Sequence, residues 1–334
     1  MPKPRFTDSD NLALVNSTIA MANAQASDDA EFVEILRSAY FGAHPLFRRR
    51  LPVASGRALT MGGARPLDAV GGDVAPRQTI YDDPRFLANV RALARQPKPN
   101  TRIIGGSNTG AREFPDCVAL GGKARWGCSG TLIAPKLVLS AGHCSAVASR
   151  VFFGNDVSKR GKIVAVDRAV PHPDYGGAQQ NDLMLLFLKK AASVRPRKLA
   201  TKATIDKATS GRAVGFGHMD VNGSFGYGIK RQVDIPIASP SCSGKVQGKT
   251  DAGAYGCDRN LELVAGKPLL FRDTCNGDSG GPFYVKARSG EWVLAAATSR
   301  FTKGAIRKCG DGGIYVRVDQ YREWIEDTAG IKLR

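Results

Sequence analysis

The amino-acid sequence predicts a mainly β chain, an all-β sandwich or a pair of barrels, preceded by a small helical region. Short runs of β-forming residues alternate with turn residues after position 103. Helix-like runs precede that position, and one amphipathic segment closes the chain. The 334 residues are enough for about two domains of roughly 150 residues each. We therefore divide the chain into a helical N-terminal region with a linker, residues 1–102, and a β domain, residues 103–334.

The N-terminal region combines two helical stretches with a long linker. Residues 8–40 carry apolar side chains at helical spacing, and Ser9 or Asp10 can cap their first helix. Residues 48–77 are rich in Gly, Pro, Ala and Arg and have no periodicity, which is typical of a linker. Residues 82–95 repeat the amphipathic pattern behind an acidic cap. Residues 1–97 carry no motif that identifies a family.

The first helical run does not have the composition of a secretory signal. It ends in an A-x-A-like stretch, but Asp8 and Asp10 precede it and polar residues interrupt it. Spread-out cysteines indicate disulfides, and hence an extracellular or periplasmic compartment. The absence of a clear signal leaves a cytoplasmic location as the alternative. No apolar run reaches the length of about 18 residues that a membrane span needs, so no span is expected.

The region after residue 103 has the pattern of a domain of short strands. The closing segment VDQYREWIEDTA predicts a helix with Tyr321, Trp324 and Ile325 on one face. The β-forming runs are bounded by turn residues and recur at short intervals. They are TLIAPKLVLSAG, SRVFFG, KIVAVDRAVPHPDY, DLMLLFL, GRAVGFGHM, RQVDIPIA, PFYVKA, EWVLAAATS and GIYVRV.

The charge is strongly basic and uneven along the chain. The formal net charge is +18, of which residues 103–334 carry +14. Such a surface allows a nucleic acid or another anionic partner, or it is simply solvated. The sequence has no nucleic-acid recognition motif and no interleaving of aromatic with basic residues. We therefore favour the solvated surface and expect no specific nucleic-acid partner.

The seven cysteines all follow residue 103, and none forms a CxxC pair. That spacing argues against a zinc site, so no metal is expected. An odd number leaves at least one thiol unpaired. Cys117, on the predicted strand in FPDCVAL, is either a buried free thiol or the site of an intermolecular bridge.

The stretch DTCNGDSGGP, residues 273–282, has the features of a nucleophile turn. Ser279 lies between an acid and two glycines, and a glycine-rich turn lets backbone N–H groups point toward one place, as an oxyanion hole requires. A serine is inert at neutral pH unless a base removes its proton. His143, in LVLSAGHC, follows a strand and adjoins a cysteine that can fix its loop. Asp182, which opens the apolar run NDLMLLFL, is expected to be buried and to need a partner such as an imidazole N–H.

Each of these motifs alone has an ordinary structural explanation as a turn, a packed loop or a strand cap. Their conjunction is more specific, since RIIGG, WGCSGTLIAPKLVLSAGHC, NDLMLLFL, CNGDSGGP and GIYVRV followed by WI occur in one order. Over about residues 103–330 the chain resembles the trypsin/chymotrypsin family of serine endopeptidases. The resemblance implies two antiparallel six-stranded β-barrels with a C-terminal helix and a catalytic triad in the cleft between them. It also implies protein or peptide substrates and no cofactor.

By the resemblance, His143 is the general base, Asp182 orients it and Ser279 is the nucleophile. The amides of Gly277 and Ser279 form the oxyanion hole. The resemblance also implies three disulfides, which leave Cys117 over: Cys128–Cys144, Cys242–Cys257 and Cys275–Cys309.

The specificity pocket implied by the resemblance contains Asp273 at its base and Gly313 in its wall. An acid at this position would pair with a substrate Lys or Arg, although Asp273 can also be a turn cap. The stretch TSR departs from the family pattern: Thr298 is expected to hydrogen-bond Asp182, and Arg300 replaces a glycine. Arg300 therefore either crowds the pocket or pairs with Asp273. Residues 258–272 are interpreted as an insertion.

The junction RIIGG implies a zymogen. By the resemblance, cleavage after Arg102 frees the amino group of Ile103, which inserts and pairs with Asp278 in a buried ion pair. The cut is made by an activating protease or by the enzyme itself. The alternatives to an active protease are a non-catalytic binding protein on a protease fold, favoured by Arg300, and an anionic-surface binder.

Overall fold

The computed structural model describes residues 106–333, apart from residues 111, 124, 177–179, 220–226, 247, 268–269, 271, 304 and 306–308. The predicted helices at 8–40 and 82–95, the linker at 48–77 and the junction Arg102–Ile103 lie outside the described residues. The two-barrel prediction falls within them and is confirmed.

The first barrel closes on itself with six antiparallel strands. A short strand, β1 (Ser107–Asn108), opens the described chain and belongs to the second sheet. The barrel strands pair in the order β2-β3-β4-β7-β6-β5, and β2 pairs with β5 to complete the ring. They are β2 (Cys117–Gly121), β3 (Trp126–Ala134), β4 (Leu137–Ser140), β5 (Arg150–Phe153), β6 (Lys162–Pro171) and β7 (Met184–Leu188).

The second barrel also closes with six antiparallel strands. Its order is β8-β9-β12-β15-β14-β13, with β13 pairing β8 again, and β1 is added to the outside of β9. A two-stranded ribbon of β10 (Lys245–Val246) and β11 (Lys249–Thr250) stands apart. The barrel strands are β8 (Ser210–Gly215), β9 (Arg231–Ser239), β12 (Glu262–Ala265), β13 (Pro282–Lys286), β14 (Trp292–Phe301) and β15 (Gly313–Arg317).

Short helices connect the strands, and each begins or ends at a residue suited to that position. In α1 (Lys202–Lys207) the Thr201 side chain accepts the Thr204 N–H, and in α2 (Asp251–Tyr255) the Thr250 side chain accepts the Gly253 N–H. The closing helix α3 (Arg322–Ala329) follows a 3-10 turn (Val318–Tyr321) and ends at Gly330 in the left-handed region. None of the described helices is long and apolar enough to cross a membrane.

The closing helix has the expected apolar face, and the segment interpreted as an insertion contains a barrel strand. Tyr321 and Ile325 are buried and Trp324 is half-buried. Residues 258–272, interpreted from sequence as an insertion, contain β12, which pairs with both β9 and β15. The segment therefore supplies a barrel strand, because its ELVA run is the partner that closes the sheet between those two strands.

The barrel interiors are apolar, and a further cluster draws on both barrels. Burying one leucine-sized side chain contributes roughly 1.5–3 kcal/mol. The first barrel is filled by residues that include Val118, Leu120, Leu132, Val138 and Leu186. The second is filled by residues that include Ile235, Leu263, Phe283 and Tyr315. The shared cluster includes Leu139 and Leu185 of the first barrel and Val214, Tyr284 and Val316 of the second.

A buried polar network also joins the barrels. The Asp116 carboxylate, just before β2, accepts the Tyr284 hydroxyl of β13 at 2.6 Å and the Arg197 Nε at 3.0 Å. Arg197, on the connection between the barrels, also donates to the Trp292 carbonyl at 3.0 Å. Since a buried charge is tolerated only when it is paired, this network fixes the two barrels against each other.

Candidate active site

His143 lies in the 3-10 helix Gly142–Val147, directly after β4. Its ring Nδ1 is 2.8 Å from Asp182 Oδ2, and its backbone N–H donates to Asp182 Oδ1 at 3.0 Å. The ring and the main chain of His143 therefore both contact the Asp182 carboxylate. Because Nδ1 is paired with Asp182, the other ring nitrogen, Nε2, is available to a different group. The His143 side chain is 24% exposed.

Asp182 precedes β7 and is fully buried, as its sequence context predicts. Besides the two His143 contacts, it accepts the Ser299 hydroxyl at Oδ2, 2.6 Å away. Burial alone would raise the pKa of Asp182, but the hydrogen bonds from the His143 ring, Ser299 and the His143 amide hold that pKa below its ordinary value. The carboxylate is therefore charged at neutral pH and can fix the histidine ring.

Ser279 lies in the turn before β13, against the histidine loop. Its carbonyl oxygen accepts the Ser129 N–H at 2.8 Å and is 3.7 Å from Cys144 Sγ. Cys144 is bridged to Cys128, the neighbour of Ser129. The serine turn and the histidine loop are therefore held together through their main chains. The Ser279 hydroxyl makes no hydrogen bond with a described residue.

The backbone around Ser279 presents unpaired N–H groups. The amides of Gly277 and Ser279 donate to no acceptor among the described residues, whereas the Asp278 amide between them bonds the Cys275 carbonyl. Gly277 has a φ of +95°, in the region that only glycine adopts without strain. Donors without partners in a fixed turn are what an oxyanion hole requires.

Asp278 is buried behind this turn. Its two oxygens accept the Gly217 N–H at 2.8 Å and the Cys275 N–H at 2.9 Å. Burial raises the pKa of Asp278 to about 6, while those hydrogen bonds and the charge of Arg231 act in the opposite direction. Arg102 and Ile103, the residues predicted to form the activation junction, lie outside the described residues.

A cavity of about 160 Å³ opens beside Ser279. Asp273 lies in it, 2% exposed, and its oxygens accept the backbone N–H groups of Thr274 (2.8 Å), Gly310 (3.2 Å) and Gly312 (3.0 Å). Burial raises the pKa of Asp273 to about 7 against these hydrogen bonds. The cavity is lined by Asp273, Thr274, Cys275, Asn276, Ser279, Thr298, Ser299, Arg300, Phe301 and Gly313.

The expected Thr298–Asp182 hydrogen bond is wrong, and a β-bulge explains why. Thr298 does not bond Asp182: its hydroxyl donates to the Gly281 carbonyl at 3.1 Å, and Ser299 takes the expected place. The register of β14 against β15 shifts between Thr298 and Arg300. A bulge adds one residue to a strand, so side chains beyond it occupy positions that a direct alignment does not predict.

Arg300 lines the cavity but does not pair with Asp273. Its guanidinium forms a two-pronged ion pair with the buried Glu262, at 2.6 and 2.8 Å, and donates to the Gly256 carbonyl. A buried carboxylate needs such a partner, so Glu262 draws the guanidinium away from the pocket base.

Sequence reasoning missed the residue that faces Gly313. Phe301 is paired with Gly313 across β14 and β15 and lines the cavity with 59% of its surface exposed. A Cβ on Gly313 would lie 3.2 Å from Asp273 Oδ1, so the glycine keeps that side of the cavity open. The sequence offers only an aromatic residue directly after SR, since neither its exposure nor the bulge is visible without the structure.

The cysteines pair as the resemblance implies. The bridges are Cys128–Cys144, Cys242–Cys257 and Cys275–Cys309. Cys117 is free, fully buried, and donates to the Val214 carbonyl at 3.5 Å. His143, Cys128 and Cys144 present ligand atoms within 4.8 Å of one another, but the disulfide removes the thiolates that a metal would need.

One of the two closed antiparallel barrels carries a histidine bound to an acid. The other carries a serine turn beside a pocket with an acid at its base. This arrangement is that of the two-barrel class of serine proteases. The Trypsin family model matches residues 103–325, and the chain belongs to this family. Kallikrein-14 of Homo sapiens is 29% identical over 251 residues, covering 71% of this chain and 88% of that protein.

Two insect proteases are similar to a comparable extent. The vitellin-degrading protease of Bombyx mori is 26% identical over 247 residues, covering 70% of this chain and 88% of that protein. Phenoloxidase-activating enzyme 1 of Spodoptera litura is 27% identical over 261 residues, covering 68% of this chain and 67% of that protein.

Proposed function

We propose that this chain is a serine endopeptidase that hydrolyses protein or peptide substrates after Lys or Arg and is made as a zymogen cut after Arg102. The observation that carries the proposal is the His143–Asp182 pair, gripped through ring and backbone, beside a serine turn with two unpaired amides. Family membership supports the reaction class. The buried carboxylate of Asp273 supports the choice of substrate.

The chemistry follows from these positions. Ser279 Oγ attacks the scissile carbonyl carbon while His143 Nε2 takes its proton, and Asp182 stabilises the imidazolium that forms. The amides of Gly277 and Ser279 bind the resulting oxyanion. The C–N bond then breaks as His143 returns the proton to the leaving amine. Water, activated by the same histidine, hydrolyses the acyl-enzyme and frees Ser279.

Specificity rests on the cavity beside Ser279. A long cationic side chain fits the opening that Gly313 leaves, and its charge meets Asp273 at the base. Arg300 leaves this charge uncancelled, because Glu262 holds its guanidinium. A buried charge is costly unless an opposite charge pairs with it, so a substrate cation gains much from binding to Asp273.

Activation is proposed to act on the serine turn. A new amino group at Ile103 would pair with Asp278, whose backbone neighbours carry the oxyanion donors. The carboxylate is buried, so an ion pair there forms only with good geometry and would fix the turn. The cut is made by another protease, or by the enzyme itself because Arg102 suits the Asp273 pocket.

The compartment is proposed from the disulfides. Three bridges in the described chain favour an oxidising location, extracellular or periplasmic. The partners of the protein are then the peptides and proteins that it meets there, including any activating protease.

The test is turnover of an arginine-containing peptide by the chain, before and after cleavage at Arg102, with the Ser279→Ala variant as control. We expect cleaved wild type to turn over the peptide and to be labelled at Ser279 by a fluorophosphonate probe, and Ser279→Ala to do neither. Equal turnover by Ser279→Ala would remove the proposal. A cleaved wild type that is neither labelled nor active would favour a non-catalytic binding protein.

A further inference from the structure

Two aromatic rings lie against the turn that carries the unpaired amides. The rings of His218 and Tyr227 are 5.3 Å apart between centroids and tilted by 38°. A Cβ built on Gly277 would lie 2.6 Å from Tyr227 Cε2 and 2.8 Å from Cδ2. The Tyr227 ring therefore covers the face of Gly277 from which a side chain would project, and it blocks movement of the turn in that direction.

The backbone beside His218 holds the same turn from its other side. The His218 N–H donates to the Asn276 carbonyl at 2.9 Å, and the Gly217 N–H donates to Asp278 Oδ1 at 2.8 Å. A trans peptide is planar, with its C=O and N–H pointing in opposite directions. Fixing the Asn276 carbonyl toward His218 therefore fixes the Gly277 N–H on the opposite side of the same peptide, away from His218.

The polar atoms of the two rings take no part in this packing. The Tyr227 hydroxyl and His218 Nδ1 are both buried, and neither has a hydrogen-bond partner among the described residues. Burial, with a smaller effect from the charge of Asp278, raises the pKa of Tyr227 well above its ordinary value, so the hydroxyl stays neutral. Since an unpaired buried polar group costs free energy, the flat rings, and not their polar atoms, are what the turn uses.

We propose that Tyr227 and His218 are positioning residues that hold the Gly277 N–H in its oxyanion-binding direction, and so set kcat without contacting the substrate. The inference rests on the proposed function, because it assigns the Gly277 amide to the reaction. Neither residue lines the cavity that contains Asp273. Loss of the stack should therefore weaken stabilisation of the transition state and leave binding of a cation in the cavity unchanged.

The experiment compares Tyr227→Ala with Tyr227→Phe and His218→Phe in the full chain after cleavage at Arg102. Four quantities are measured: kcat and KM for an arginine peptide, the affinity for benzamidine, and the affinity for a peptidyl arginine aldehyde. Benzamidine needs only the Asp273 cavity. The aldehyde adds Ser279 Oγ to its carbonyl carbon and places the resulting oxygen in the oxyanion hole.

We expect Tyr227→Ala to lower kcat and aldehyde affinity together by about 10- to 100-fold, less than the 10²- to 10³-fold typical of losing an oxyanion donor outright. Benzamidine affinity should stay within about twofold, since its contacts are untouched. Both Phe variants should stay within about twofold of wild type, because they keep a flat ring and remove only unpaired atoms. If Tyr227→Ala does not fold, Tyr227→Leu, which keeps apolar volume without a flat ring, takes its place.

Trp292→Ala is the matched control. Trp292 is a half-buried aromatic that packs on Phe114 at 6.2 Å, away from the serine turn, so it should lower thermal stability without separating kcat from benzamidine affinity. Equal losses of benzamidine and aldehyde affinity in Tyr227→Ala, or a Tyr227→Phe rate as low as that of Tyr227→Ala, would overturn the inference. Cleaved wild type without turnover overturns the proposed function as well. Normal wild-type turnover with an unchanged Tyr227→Ala kcat overturns this inference alone.

Discussion

The loop that carries His143 and the turn that carries Ser279 differ in how many of their polar groups already have partners. Asp182 accepts hydrogen bonds from the His143 ring, the His143 amide and Ser299, and its pKa is low. Around Ser279, two amides have no acceptor among the described residues, and the buried carboxylates of Asp273 and Asp278 accept backbone N–H groups but have raised pKa values.

The histidine half of the candidate site, around His143, is therefore preformed. The serine half, around Ser279, is proposed to be completed only when charged groups bind. On the histidine side, Asp182 already holds the His143 ring and backbone N–H and accepts the Ser299 hydroxyl, so no further group is needed to orient the base. Under the proposed function, the serine side is completed by two cations and an anion: a substrate side chain, a new amino terminus and the oxyanion. A buried polar group without a partner lowers the stability of the folded protein. A ligand that supplies the partner recovers that free energy, which strengthens its binding.

The largest expected effect comes from breaking the preformed half. Asp182→Asn keeps the shape but removes the charge that fixes the His143 tautomer, so kcat should fall by about 10⁴-fold, as is typical of triads. Peptide turnover measures it, with benzamidine affinity unchanged. Asp327→Asn, an exposed change on α3, is the control and should leave kcat at the wild-type value. A loss of less than tenfold in Asp182→Asn would show that the acid is not needed.

The second effect tests whether the other half waits for a new amino terminus. Arg102→Gln should resist cleavage and lose about 10²- to 10³-fold in turnover, the scale of an unformed oxyanion hole. Proton NMR should still show the low-field His143 Nδ1–H signal, because the histidine half is preformed. Lys98→Gln leaves the junction intact and should activate normally, as mass spectrometry of the fragments would show. Full turnover by uncleaved Arg102→Gln would contradict the zymogen proposal.

The third effect concerns the pH at which the pocket is charged. The pKa of Asp273 is raised to about 7, so the carboxylate is present above that pH and must lose a proton to bind a cation below it. Benzamidine affinity should therefore fall by about tenfold for each pH unit below the pKa. Titration calorimetry from neutral to acid pH measures this. Asp273→Asn should bind weakly with no such slope, and a slope that persists in it would assign the titration to another group.

The smallest effect distinguishes two neighbouring hydroxyls. Ser299→Ala removes one donor to Asp182 and should lower kcat/KM by roughly fivefold, the value of about 1 kcal/mol for one hydrogen bond. Thr298→Ala removes a hydroxyl that bonds only the Gly281 carbonyl and should change kcat/KM less than Ser299→Ala does. The reverse order would restore the direct alignment of TSR and contradict the bulge.

The sequence pattern predicted an all-β sandwich or a pair of barrels, and the family resemblance implied the two six-stranded barrels and the residues of the candidate site. Alternating short strands and the order of the His143, Asp182 and Ser279 motifs are local patterns, and local patterns are visible in one sequence. The three disulfide pairs came from family resemblance, because spacing alone leaves many connectivities open.

Sequence reasoning failed where the position of a side chain depends on strand register or on a partner distant in the chain. The bulge after Thr298 places the Ser299 hydroxyl within hydrogen-bond distance of Asp182 and pairs Phe301 with Gly313. No residue type in this stretch predicts the bulge. Arg300 was placed in the pocket because its partner, Glu262, is 38 residues away in a stretch interpreted as an insertion. The Tyr227 ring was missed for the same reason, since it meets Gly277 only in the folded chain.

The buried thiol of Cys117 gives this protein an internal reporter of barrel opening. The Cys117 thiol is fully buried and bonded to the Val214 carbonyl. Burial raises the pKa of this thiol far above its ordinary range. A thiol reagent therefore cannot reach it in the folded protein and finds no thiolate to react with. The other six cysteines are bridged. Without a reductant, alkylation of the chain therefore requires the Cys117 thiol on β2 to become exposed. The labelling rate measures how often the fold opens around its preformed half.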